Sequence, residues 1–129
     1  MQRDPKKTYC AVVVDDSRDA AESLARLLTL MGCEATFVTH AGDAMAEVLN
    51  KKPSVVFLDI GMPVINGYEL AQMIRRYFDS EAVKLVAVTA YGTAEDRIRA
   101  RKAGFDAHVL KPVDPAMVES MIKTVIEGR

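Results

Sequence analysis

Tyr9-Cys10-Ala11-Val12-Val13-Val14-Asp15-Asp16-Ser17 is the stretch that decides the fold. Its first six residues are apolar without alternation, the pattern of a strand buried on both faces, as in a parallel sheet. Two acids end the run, and Ser17 suits a helix N-cap. Ala20, Leu24, Leu27, Leu28 and Met31 then recur at helical spacing, and Gly32 stops the helix.

The same unit recurs in kind along the chain. Glu34 to Thr39 reads as a weaker strand, and Ala41 to Asn50 as a short helix ended by Lys51-Lys52-Pro53. Ser54 to Leu58 is a second strongly buried strand and runs straight into Asp59. After the loop Ile60 to Asn66, Gly67 to Tyr77 reads as a helix with Leu70, Met73, Ile74 and Tyr77 on one face. Lys84 to Thr89 and Ala107 to Leu110 are the last two strands. Between them lies a polar helix, Ala94 to Ala103, with Gly104 at its end. Pro115 opens the final helix, where Met117, Val118, Met121, Ile122 and Val125 form the apolar stripe. Parallel strands need crossover connections, and those are almost always right-handed. The architecture is then a doubly wound α/β sheet with helices on both faces, its functional groups beyond the carboxyl ends of the strands.

Composition narrows the function. The 129 residues suit one domain, 8–129, behind a loose polar tail at 1–7. Lys plus Arg is 17 against 18 acids, which argues against direct nucleic-acid binding. No apolar run approaches the ~18 residues of a membrane span, and Met1 to Lys7 does not lead into a signal peptide. Cys10 and Cys33 are expected as free, buried thiols in a cytoplasmic protein without membrane contact.

The strand ends carry the chemistry. Asp15 and Asp16 follow the first strand, Asp59 the third, Thr89 and Ala90 the fourth, and Lys111 the fifth. Alone, each has an ordinary reading: a solvated helix start, a strand end, a surface lysine. Together they make a set. Three carboxylates in one site repel each other. A hard cation such as Mg²⁺ resolves that with oxygen ligands and retained waters. Lys111 adds a point charge, Thr89 a hydroxyl donor, and Asp59 an oxygen nucleophile able to form an aspartyl phosphate.

On these residues the chain resembles the receiver domain of two-component response regulators. The matching blocks are Val14-Asp15-Asp16, Leu58 to Leu70, Val88-Thr89-Ala90 and Leu110-Lys111-Pro112, in order and each at a strand end. The resemblance implies a (βα)5 flavodoxin-like fold with strand order 2-1-3-4-5. It implies phosphoryl transfer to Asp59 from a histidine kinase or histidine phosphotransfer protein. It implies Mg²⁺ held by Asp16, Asp59 and the Gly61 carbonyl, with Asp15 acting mainly through water. Thr89 and Lys111 are expected on the phosphoryl oxygens, with Ile60, Gly61, Ala90 and Tyr91 flanking them, and Lys111-Pro112 as a candidate cis bond. The partner is expected near Ala20 to Leu24 and Pro112-Val113, and the domain itself as a monomer or weak dimer. Ala103 to Asp114 and Leu58 to Pro63 look most like receivers fused to hybrid sensor histidine kinases.

The family usually carries Tyr or Phe where this chain has His108, the expected partner of Thr89 in switching. Gly61 offers no side chain to position a water, whereas Tyr91 is expected to shield an acyl phosphate. Arg97, Arg99, Arg101 and Lys102 read as a solvated helix face, and His40 as a loop residue. Two other functions compete: a degenerate interaction domain that is not phosphorylated, and an Asp-nucleophile phosphohydrolase. The hydrolase wants an acid two residues after its nucleophile, where Gly61 stands. No glycine-rich phosphate loop follows the first strand.

Overall fold

The computed structural model describes residues 9–62 and 65–128. The expected tail at 1–7, and Pro63 and Val64 of the loop after Asp59, lie outside the described residues. Five parallel strands alternate with helices: β1 (Tyr9–Val14), α1 (Arg18–Leu30), β2 (Cys33–Val38), α2 (Ala41–Lys51), β3 (Val55–Asp59), α3 (Gly67–Arg75), β4 (Lys84–Thr89), α4 (Ala94–Ala103), β5 (Ala107–Leu110) and α5 (Pro115–Met121). The sheet order is β2-β1-β3-β4-β5, as the resemblance implied.

The apolar runs form the central strands because both of their faces are covered. Ala11, Val13, Val55, Phe57, Val86 and Val88 pack in one layer with Leu24, Leu28, Val118 and Ile122. Val12, Val14, Val56, Leu58, Leu85 and Ala87 pack in the other with Val48, Leu70 and Ile74. Alternate residues of each strand thus supply opposite cores, which is why no polar residue interrupts β1 or the body of β3.

Local signals set the helix ends. Ser17 accepts the Ala20 N–H at the start of α1. Asn66 with Glu69, and Thr93 with Asp96, form capping boxes at α3 and α4. Gly104 ends α4 at φ 110°, a left-handed conformation that glycine adopts without Cβ strain. Asp114 caps α5, with Pro115 in its first turn.

Three expectations need correction. Tyr77 is not on the apolar face of α3: the helix ends at Arg75 and Tyr77 is 66% exposed. The Phe78 N–H returns to the Ile74 carbonyl, so Phe78 packs on the core instead. The last helix is not uniform, since Ile122–Ile126 winds as a π-helical turn that keeps Ile122 buried and Val125 half-buried. Both windings keep the apolar stripe on the sheet, so periodicity does not separate them. Cys33 is buried but Cys10 is only half-buried; both are free.

Candidate functional site

Parallel strands bring their carboxyl ends to one edge, and the chain order reverses between β1 and β3. Helices leave the sheet on opposite faces at that point, which opens a crevice. Asp15 follows β1, and Asp59 ends β3 beside it. Backbone hydrogen bonds fix the rim: Asp15 N–H to Val38 O, Ile60 N–H to Val88 O, and Lys111 N–H to Thr89 O at 2.8 Å.

Asp15, Asp16 and Asp59 each bring a carboxylate oxygen within 4.8 Å of the other two, with Asp15 and Asp59 buried and Asp16 exposed. The Lys111 ammonium lies 3.2 Å from Asp15 Oδ2 and 3.6 Å from Asp59 Oδ2. Asp15 Oδ1 accepts the Ser17 N–H, and Asp59 Oδ1 accepts the Gly61 N–H at 3.1 Å. Burial, followed by the charge of Asp15, raises the Asp59 pKa above the ordinary carboxylate range, against the pull of the Gly61 N–H and of Lys111. Burial alone would lower Lys111, but its hydrogen bond and charge contact with Asp15, reinforced by Asp59, hold the ammonium up. One cation thus faces three acids. The set has spare negative charge and open oxygen ligands, the donor chemistry of a hard divalent ion.

Thr89 is buried at the end of β4, and its hydroxyl accepts the Tyr91 N–H at 3.0 Å. Tyr91 is 73% exposed and borders a slot with Thr89 and Ile60. His108 is half-buried on β5 and shares a narrow slot with Thr89, Ile60, Tyr91 and Arg97. Burial and then the Arg97 charge lower its pKa. The Lys111-Pro112 bond is cis. A Cβ at Gly61 would meet only Asp59 Oδ1, at 3.8 Å, so the space beside the acid is open.

Two residues gain importance that spacing did not reveal. Arg99 is exposed, as expected of a solvated face, yet its guanidinium also lies 4.2 Å from the Tyr68 ring centroid, and Tyr68 meets Phe105 edge-on. Gly67 is the other. A Cβ there would come 2.8 Å from the Asp59 carbonyl oxygen and 2.7 Å from Ile60 Cα. Backbone rather than flexible side chain stands in the way, so Gly67→Ala must push β3's end aside. The expected cost is about 1–3 kcal/mol in urea unfolding, with slower modification of Asp59. Unchanged stability and rate would show that this end of β3 yields freely. The signal in the sequence was only a glycine opening α3.

The response regulator receiver domain family matches residues 11–123, and the chain belongs to it. Domains of this family receive phosphate from histidine kinases, and the chain is a phosphoacceptor receiver of two-component signalling. Among its relatives is an uncharacterized 14.6 kDa protein from the sodA1 3' region of Leptolyngbya boryana, 34% identical over 81% of this chain and 79% of that one. Hybrid signal transduction histidine kinase L of Dictyostelium discoideum is 32% identical over 95% of this chain, which spans only 8% of that protein. The crystal structure of a CheY-like receiver domain protein from Methanospirillum hungatei superposes with TM-score 0.85 at 26% identity. That match covers 94% of this chain and 95% of the other.

Proposed function

We propose that Asp59 is the phosphoacceptor and that its donor is the phosphohistidine of a histidine kinase or a histidine phosphotransfer protein. The observation that carries this reading is a buried carboxylate held between a lysine ammonium and two further acids at the open end of a parallel sheet. Asp16 and Asp59, with the Gly61 carbonyl, would hold Mg²⁺, and Asp15 would reach it through water. Bound there, Mg²⁺ supplies positive charge to phosphoryl oxygens. An Asp59 carboxylate oxygen forms the new bond to phosphorus as the donor's P–N bond breaks and its electron pair returns to the imidazole. Lys111 turns from the two acids to a phosphoryl oxygen, and the Thr89 hydroxyl donates to another. Gly61 leaves no general acid beside Asp59, which favours a stored phosphoryl group over fast turnover.

A groove of about 710 Å³ adjoins the site. Ala20, Leu24, Leu27 and Leu30 line one wall, Pro112 and Val113 the other, and Asp15 and Lys111 also border it. Leu30 is 80% exposed there, which suits an apolar helix face on the donor. Among the described residues no helix is long and apolar enough to cross a membrane. We place the domain in the cytoplasm as a monomer or weak dimer, with a hybrid sensor kinase as its favoured parent chain.

Acetyl phosphate with Mg²⁺ is expected to add one phosphoryl group per chain, read by intact mass. Chelation of the metal beforehand should prevent the addition, and Lys111→Met should slow it roughly 10- to 100-fold. A folded domain that stays unmodified would instead favour the degenerate interaction domain.

A further inference from the structure

His108 lies opposite Ala87 of β4, on the sheet face covered by α4. It borders two cavities. The first is shared with Ile60, Thr89, Tyr91, Asp96, Arg97 and Ala100, and is too narrow for water. The second opens toward Arg101, Phe105 and Asp106. If the Thr89 hydroxyl turns to a phosphoryl oxygen, the first slot gains room. Unfilled space in a packed wall forfeits contacts, so an adjoining side chain gains by moving in. Ala100 is too short to do so, Ile60 is already packed on the core, Asp96 is held in the capping box of α4, and Arg97 and Tyr91 are exposed. His108, half-buried at the slot's border, is left to fill it.

We propose that His108 makes the domain's response to phosphorylation pH-dependent: the neutral imidazole enters the slot beside Thr89, whereas the imidazolium is kept out by Arg97. The charged groups facing His108 are Asp96, Arg97 and Arg101 of α4 and Asp106 of the loop before β5, with Tyr91 the other titratable group. Among the described residues neither acid forms an ion pair with His108. Asp96 is engaged by Thr93 in the capping box, and Asp106 by Arg75 at 2.7 Å. Among the described residues no acid forms an ion pair with Arg97, so only solvent screens the charge it brings to the slot. Burial and Arg97 already lower the His108 pKa in the resting position, and deeper entry strengthens both effects. A phosphoryl group pulls the other way, but Lys111 faces that charge directly. By linkage, protons and the phosphoryl-bound conformation then oppose each other.

This inference rests on Asp59 as phosphoacceptor. The full chain would be titrated by NMR, free and loaded with Mg²⁺ and beryllofluoride. His108 is expected to titrate at lower pH when loaded. Beryllofluoride affinity should weaken between pH 7.5 and 5.5 by roughly threefold more in the native chain than in His108→Phe, whose ring takes no proton. Normal loading with His108 titrating at the same or higher pH, or with the same pH dependence in His108→Phe, overturns this inference alone. Absence of loading and of acetyl phosphate modification in a folded chain overturns both this inference and the phosphoacceptor reading.

Discussion

Asp59→Asn is expected to abolish acceptance of a phosphoryl group while leaving the fold intact. The amide is nearly isosteric with the carboxylate but offers no charged oxygen for an acyl phosphate. No other acid replaces it: Asp15 is committed to the Ser17 N–H and to Lys111, and Asp16 is exposed. Intact mass after acetyl phosphate and Mg²⁺ should show no adduct in the variant. A retained adduct would place the acceptor elsewhere. The same substitution should raise stability without metal at neutral pH, on the order of 1 kcal/mol, because it removes a buried charge beside Asp15. The sign follows from the raised pKa of Asp59. A carboxyl whose folded pKa lies above its unfolded value favours the fold fully below the unfolded pKa. That contribution is lost as pH rises through the folded pKa. Asp59→Asn should therefore flatten the fall in urea midpoint from acid to neutral pH. A variant less stable than the native chain at neutral pH would show that Lys111 compensates Asp59 in full.

Arg75→Met is expected to cost about 3 kcal/mol or more, a large part of an ordinary domain's stability. Arg75 closes the end of the sheet opposite the acids. Its Nε donates to Gly104 O at 2.9 Å, its Nη1 to Val83 O at 2.7 Å and to Phe78 O at 3.3 Å, and its Nη2 to Asp106 Oδ2 at 2.7 Å. Asp106 Oδ2 also accepts the Leu85 N–H. One guanidinium thus joins the loop before β4 to the loop before β5. Truncation strands three carbonyls and a carboxylate, and the pair is only 16% and 19% exposed, so water replaces the donors poorly. Arg75→Lys should recover little, since an ammonium lacks the planar fork these acceptors require. A loss under 1 kcal/mol in urea unfolding would mean that the loops relax to water.

Arg75 also shows what a linear reading misses. It reads as one more charged residue in the last turn of α3, and its acceptors are backbone carbonyls, to which residue identity gives no clue. Arg99 is alike: among the charges of α4 nothing distinguishes it, and only the approach of α3 puts Tyr68 beneath it. The exposure of Tyr91 is likewise invisible in the sequence: its backbone is tied to the Thr89 hydroxyl while its side chain is largely exposed.

The sequence by itself determined the alternation of buried strands and helices, and with it the edge where Asp15, Asp16, Asp59, Thr89 and Lys111 meet. Apolar runs and caps are local patterns, and parallel crossovers force every strand end to one side. Tertiary structure alone decided the bridging of two acids by Lys111, the closeness of Gly67 to the backbone of Asp59, and the slot that His108 shares with Thr89 and Arg97. Those depend on distances of a few ångströms between segments far apart in the chain, set by how the helices settle on the sheet and not by any residue's neighbours in sequence.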